Sequence, residues 1–555
     1  MNETHIALAL LAIFFILSAT AISQKSLTVD ELVHIPAGYS YVRTLDFRLN
    51  PEHPPLMKIL AGVFLLPLNP NLPTEHWSWA AENQQEFGRA FFFEANKEKH
   101  DTLLFLARLP MILVGMLLGW VVYRWSTDLF GARAGLASLA LYTLSPNFLA
   151  HSALVATDAG VSTFLTLSTY LVWKWLKHPA HDWKTLSAIG AIIGLTLGAK
   201  FTGVYVIPII SILVLLNILL TRQRNFSTIA RTSLSLCLML IAAMITVSAL
   251  YAFHDAPTYI KGLLRVSGES TEGRNSFLYG EYGHGWWYYF PLAFVVKMPI
   301  PTMIIFALAI VTLARVKKDQ LFDYACLLLP ALILFTAFML NKINIGFRHV
   351  LPSLPFLFVL AGTVAKQRII VQKKNIAPII TGILITWLAV ETVAIYPDFL
   401  AYFNQFAGGP DNGYNYLMDS NIDWGQDLKG LKQWMSRHNV DKVTLGYFGQ
   451  DDPNFRKIAH DSLKCYQTTG TLAVSVNILN GFRLEDRACT EWLRKLQPVD
   501  NIGHSILIYN IQDAPEKEQG IQDYCAKGCR VRCEKQNKTA TVATIIQKKC
   551  VCQCT

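Results

Sequence analysis

Charge is what this chain has little of. Asp, Glu, Lys and Arg make up 16% of its 555 residues, against 52% hydrophobic residues and a mean hydropathy of +0.32. That scarcity excludes an ordinary soluble protein of this length. Cysteine is almost absent from the first 464 positions. Cys237 and Cys326 fall in apolar runs, and the other eight cysteines all follow the last such run. That late segment therefore belongs in an oxidising compartment, where an even cysteine set makes disulfides. No short internal repeat is present, which removes solenoid architectures. The formal net charge of +10 suggests nucleic acid at first sight. The excess cations sit in short loops between apolar runs, as they do in membrane proteins, so no nucleic-acid partner is expected.

Long apolar runs recur and predict a mainly α, polytopic membrane bundle of about eleven spans. They lie roughly at 4–22, 103–123, 134–150, 157–176, 185–199, 200–220, 232–252, 288–314, 321–340, 349–365 and 376–395. The fifth and sixth form one continuous stretch. We divide it at Gly198-Ala-Lys-Phe-Thr-Gly203, where a lysine between glycines reads as an interfacial turn. Arg124, Arg133, Lys174, Lys177, Lys184, Arg222, Arg224, Arg231, Arg315, Lys317, Lys318, Lys366, Arg368, Lys373 and Lys374 gather on one side, with only Asp128, Asp182 and Asp319 beside them. That side is assigned to the cytoplasm. The loop 23–102, the segment 145–157, the loop 253–287 and everything after Tyr396 then face outside. Within the first loop, Pro54 to Leu68 is too short to cross and is expected to lie on the membrane surface.

Three parts follow: a membrane domain at 1–395, a small external α/β domain at 396–512, and a cysteine-rich tail at 513–555. Gln426 to Arg437 reads as an amphipathic helix. Lys442 to Phe448, Thr471 to Ile478 and His504 to Ile511 read as strands. Cys465 with Cys489 is a plausible bridge, and zinc is the weaker use of the terminal cysteines. Asn537-Lys-Thr matches a glycosylation sequon.

Chemistry concentrates at residues 30–58. Asp30 and Glu31 are adjacent acids, followed by His34 and by Glu52-His53-Pro54-Pro55-Leu56-Met57-Lys58. Neighbouring carboxylates at a membrane surface suit abstraction of a proton from an acceptor hydroxyl, and each raises the other's pKa. The plainer use of Asp30 is helix capping. Lys58 at headgroup level suits a lipid phosphate; the plainer use is a snorkelling lysine. Arg108 and Asp158 sit near the outer ends of their spans, where charges face cavities, or else pair with each other. Lys297 lies inside the eighth span, where it costs roughly 3 kcal/mol and needs a partner. Pro299 and Pro301 predict a kink there. Arg348 opens the tenth span as a further cation.

Asp30-Glu-x-x-His34 followed by His53-Pro-Pro-Leu-x-Lys58 resembles the first external loop of the protein O-mannosyltransferases, which are GT-C glycosyltransferases using polyprenyl-phosphate sugars. The resemblance implies a hydroxyl acceptor on protein or glycolipid and transfer of a mannose-like hexose. It implies Asp30 as base with Glu31 supporting, donor phosphate held by Lys58, Arg108 and Lys297, and substrate contacts from His53, Asp158 and Arg348. A phosphate leaving group held by protein cations needs no metal or cofactor. The large β-rich insert of the eukaryotic members has no room in 253–287, which leaves the acceptor open. Expected partners are a polyprenyl-phosphate sugar, the acceptor and the bilayer. The expected location is a bacterial plasma membrane, or the endoplasmic reticulum in a eukaryote. A lipid or sugar transporter or flippase is the competing class, and an adhesion scaffold the third.

Overall fold

The computed structural model describes residues 2–221, 225–367, 370–371, 374–482, 484, 487–513, 517–534, 539–546 and 549–554. Arg222, Arg224, Arg368 and Lys373, used to assign the cytoplasmic side, and Asn537-Lys538 of the sequon lie outside the described residues. The chain forms two compact units. One comprises Met1–Gln24 with Val29–Asn421, and the other Lys25–Thr28 with Ile422–Thr555.

The first unit is helical. Seven helices among the described residues are long and apolar enough to cross a membrane: Glu3–Ser23, Lys97–Phe130, Phe201–Thr221, Phe226–Leu250, Lys318–Met339, Phe347–Lys366 and Ala377–Ala394. An eighth is reached if Tyr289–Lys297 and Ile300–Arg315, bent by 114°, make one broken span. The break falls at Met298-Pro299, where a proline ends one helix and starts the next. The chain is thus an integral membrane protein, but the count of about eleven is not reached. Three expected spans are not among these helices, for separate reasons. The run 134–150 breaks at Ser145-Pro146 into two short helices. Asp158–Lys177 buries Ser162, Thr163, Thr166, Ser168 and Thr169, which lowers its hydropathy. Trp183–Ala199 is a short apolar helix. The division of the long stretch does occur, at Lys200.

Helix Glu31–Thr44 follows the first span and is gripped by backbone. At Gly38 there is no room for a Cβ against the Lys58 carbonyl. Gly62, on helix Leu56–Leu65, packs on the Gly38 carbonyl, and Gly88 on that of Leu32. Contacts this close need glycine on the approaching face. They fix helix Glu31–Thr44, and so Asp30, relative to two segments of the first loop, Leu56–Leu65 and Gln84–Arg89.

The second unit carries a five-stranded mixed sheet. In spatial order its strands are Ala459–Ser462, Lys442–Gly446, Gly470–Ser475, Ile506–Ile511 and Asp500–Ile502. The first three run parallel and the last two pairings are antiparallel. Helix Leu428–Arg437 buries Leu428, Leu431 and Met435, one stripe at helical spacing, against Val443, Leu445, Ala473 and Ile508. The expected Cys465–Cys489 bridge is present. The terminal bridges join helix Lys517–Glu534 to strand Lys549–Cys554 as Cys525–Cys550, Cys529–Cys552 and Cys533–Cys554. Four helical residues rise about 6 Å and two strand residues about 6.6 Å. Cysteines spaced by four on one element and by two on the other therefore meet rung by rung.

Candidate functional site

Asp30 immediately precedes helix Glu31–Thr44, yet its side chain caps nothing. Its Oδ2 accepts a hydrogen bond from Arg348 Nη1 at 2.9 Å instead. The other carboxylate oxygen accepts none among the described residues. Arg348 stands on the 3-10 turn Phe347–Ser353 and lies 3.7 Å from Asp158 Oδ2. Asp158 opens its helix and takes Lys200 Nζ on Oδ1 at 2.5 Å. Two acids and two cations thus alternate in a chain, Asp30–Arg348–Asp158–Lys200. Exposure decides which end is open: the side chain of Asp158 is 1% exposed, that of Asp30 25%. Among the described residues, neither Asp158 Oδ2 nor the buried His349 Nε2 has a hydrogen-bond partner. His151 and His349 are electrostatic neighbours of Asp158, Arg348 and Lys200. Unsatisfied buried polar atoms are rare in folded proteins, and their gathering here is compatible with a functional site.

Glu31 has a different fate. Arg108 donates to both of its oxygens, Nε to Oε1 at 2.8 Å and Nη2 to Oε2 at 2.6 Å, and Nη1 donates to the Ile22 carbonyl at 3.0 Å. Val155 N–H also donates to Glu31, at 3.1 Å. The pair is sealed, at 1% and 0% exposure. The alternative of an Arg108–Asp158 pair is therefore corrected: each found a different partner.

Lys58 is buried and turns towards protein oxygens. Its Nζ donates to Asn50 O at 2.7 Å, His53 O at 2.8 Å, Asn50 Oδ1 at 3.0 Å and Tyr41 Oη at 3.0 Å. Tyr41 Oη donates in turn to the Leu49 carbonyl. Lys58 thereby holds the loop 49–53 in place. Burial pushes its ammonium down to about 7. That loop sets the His53 ring edge-on to His34, 5.3 Å between centroids. His34 Nδ1 lies 2.8 Å from the Val155 carbonyl, and burial lowers both histidines. Lys297 donates to the carbonyls of Leu400 (2.9 Å) and Asn421 (2.6 Å) and lies over the Phe403 ring. Protein carbonyls thus supply partners for this buried lysine.

The structure therefore brings Asp30, Asp158 and Arg348 together. It sets Glu31 and Arg108 behind them, and it engages Lys58 and Lys297 with protein oxygens. Of the residues gathered here, Lys200 carried no site role in the sequence pattern. Lys200 was taken for an interfacial turn, although a lysine inside an otherwise unbroken apolar stretch already signals a buried acid partner.

A helical membrane protein with a carboxylate and cations gathered beside its first loop is the class these observations define. The family model described as dolichyl-phosphate-mannose-protein mannosyltransferase matches residues 100–251, the segment that supplies Arg108, Asp158 and Lys200. In fold, the chain is similar to ArnT from Cupriavidus metallidurans, solved bound to undecaprenyl phosphate. That match has 14% identity and a TM-score of 0.50, covering 92% of this chain and 99% of ArnT. The archaeal oligosaccharyltransferase AglB from Archaeoglobus fulgidus, in complex with an inhibitory peptide and a dolichol-phosphate, matches at 10% identity over 92% of this chain and 75% of its own (TM-score 0.46). The S. cerevisiae Pmt1–Pmt2 protein O-mannosyltransferase complex, bound to the sugar donor, matches at 16% over 47% and 34% (TM-score 0.35). These two weaker overlaps carry no argument on their own. No curated protein sequence matches. The resemblance to protein O-mannosyltransferases read from residues 30–58 is thus met again in a different stretch of sequence. The transporter class is not favoured.

Proposed function

We propose that this protein is a membrane glycosyltransferase that moves a sugar, a mannose-like hexose, from a polyprenyl-phosphate carrier to a hydroxyl on a protein or glycolipid. The observation that carries the reading is the Asp30 carboxylate, exposed on one oxygen and tied on the other to Arg348. Asp30 takes the acceptor's proton. The acceptor oxygen bonds to the anomeric carbon as the bond from that carbon to the phosphate oxygen breaks, and polyprenyl phosphate leaves with the electron pair. Arg348 and Lys200 steady the leaving phosphate, because cations aimed at developing charge are the strongest aid such a step has. Asp158 holds those two cations in place, and Glu31–Arg108 fixes the segment that bears Asp30. The reaction faces outside, with residues 396–512 on the same side, in a bacterial plasma membrane or the endoplasmic reticulum.

A radiolabelled polyprenyl-phosphate mannose assay on the purified protein tests this. Transfer to protein or lipid that disappears in Asp30→Asn, with the fold intact, is the expected result. Full activity in that variant removes Asp30 as base. Mass spectrometry of glycoproteins and glycolipids, with and without the gene, identifies the acceptor.

A further inference from the structure

A cleft of about 480 Å³ outside the proposed reaction centre separates the segment Asp46–Pro51 from helix Pro257–Glu272. Six charged residues line it: Asp46, Arg48, Glu82, Asp255, Lys261 and Arg265. Their formal charges cancel, but their partners do not account for all of them. Arg48 Nε donates to Asp46 at 2.8 Å and its guanidinium covers the Trp79 ring. Asp255 accepts the Thr258 hydroxyl at 2.7 Å. Among the described residues, the ion pair of Arg265 is with Glu269, 3.7 Å away along its own helix. Lys261 and Glu82 have no ion pair or side-chain hydrogen bond among the described residues. Glu82 is held at a φ of 53°, a left-handed conformation that a non-glycine residue keeps only under constraint.

Lys261 and Arg265 are one turn apart, so they share a face. The residues before them, Ile260 and Leu264, are 55% and 67% exposed, and Phe253 is 67% exposed. The helix therefore presents an apolar strip next to the cations that line the cleft, the pattern of a helix lying at a lipid surface.

We propose that this cleft binds the head of a zwitterionic lipid, an aminoalkyl phosphate. Its phosphate meets Lys261 and Arg265, its ammonium meets Glu82 and Asp255, and its chains lie along Ile260 and Leu264. A purely anionic head is disfavoured by the carboxylates in the same cleft, and a purely cationic one by the lysine and arginine. A soluble zwitterion leaves the apolar strip unused. The proposal stands independently of glycosyl transfer.

Native mass spectrometry of the full-length protein in detergent, mixed with phosphatidylethanolamine or phosphatidylglycerol, tests it. Wild type is expected to retain phosphatidylethanolamine in preference. The double variant K261Q/R265Q is expected to lose about tenfold in retention, and E82Q to lose the preference. All three residues are exposed, and an unchanged melting temperature confirms that the variants fold. Glycerophosphoethanolamine at equal concentration is expected to leave the lipid bound; displacement overturns the lipid assignment. Equal retention of the two lipids by wild type, or undiminished retention in K261Q/R265Q/E82Q, overturns the site.

Discussion

Asp30 and Glu31 are neighbours in sequence and opposites in structure. Glu31 is closed on both oxygens by a bidentate guanidinium and a backbone amide, with no exposure. Asp30 keeps one oxygen open and a quarter of its side chain exposed. Residue type therefore does not separate a framework acid from a reactive one. The number of donors already satisfied does. A fully paired buried carboxylate is costly to disturb and has nothing left to give a substrate, whereas a singly paired, partly exposed one retains a lone pair for a proton.

The contrast breaks most sharply at Asp30. Asp30→Asn is expected to cut transfer on the order of 10³-fold, with an unchanged melting temperature, in the labelled-donor assay. Glu31→Gln is expected to do the reverse. It leaves Arg108 buried against a neutral partner and lowers stability by about 4 kcal/mol, read by thermal or denaturant unfolding in detergent. If Glu31→Gln abolishes transfer while melting normally, the division between the two acids is wrong.

A third carboxylate sharpens the comparison, because it is sealed with no cation on its free oxygen. Asp423, in the second unit, has a buried Oδ2 with no hydrogen bond among the described residues. Burial, with Asp427 adding to it, pushes its pKa up from 3.8 to about 7. The folded state then holds a proton that the unfolded chain releases. Stability is greatest at acid pH, falls as pH rises from about 4 through 7, and stays low above that. Asp423→Asn is expected to flatten this loss and to stabilise the second unit above pH 7 by about 3 kcal/mol, measured by melting at pH 5 and pH 8. The smallest effect is expected at Lys200. Lys200→Met releases one cation from Asp158 and lowers kcat/KM about 30-fold, with Arg348 still present. A loss as deep as that of Asp30→Asn would make Lys200 the dominant charge.

What was legible followed local rules. Helix Leu428–Arg437, the strands near 442, 471 and 506, the break at Lys200 and the bend at Pro299 all carry their signals within a few residues. Span number was not, because Ser145-Pro146 and the Ser/Thr-rich helix Asp158–Lys177 show that a buried helix in a bundle need be neither long nor uniformly apolar. In the site, residue types were legible and pairings were not. Arg108 matched Asp158 as an ion-pair partner in sequence, and only its approach to Glu31 in space replaced that pairing.

The amino-acid sequence by itself determined that this protein is a multi-helix membrane protein with a disulfide-bearing α/β unit, since apolar run length and cysteine placement act locally. It also held the motif at residues 30–58 that resembles one family of glycosyltransferases. Tertiary structure alone decided which charges meet. Arg348 comes to Asp30 from 318 positions away and Lys200 to Asp158 from 42. The strength of an ion pair depends on distance and burial in space, which spacing along the chain does not encode.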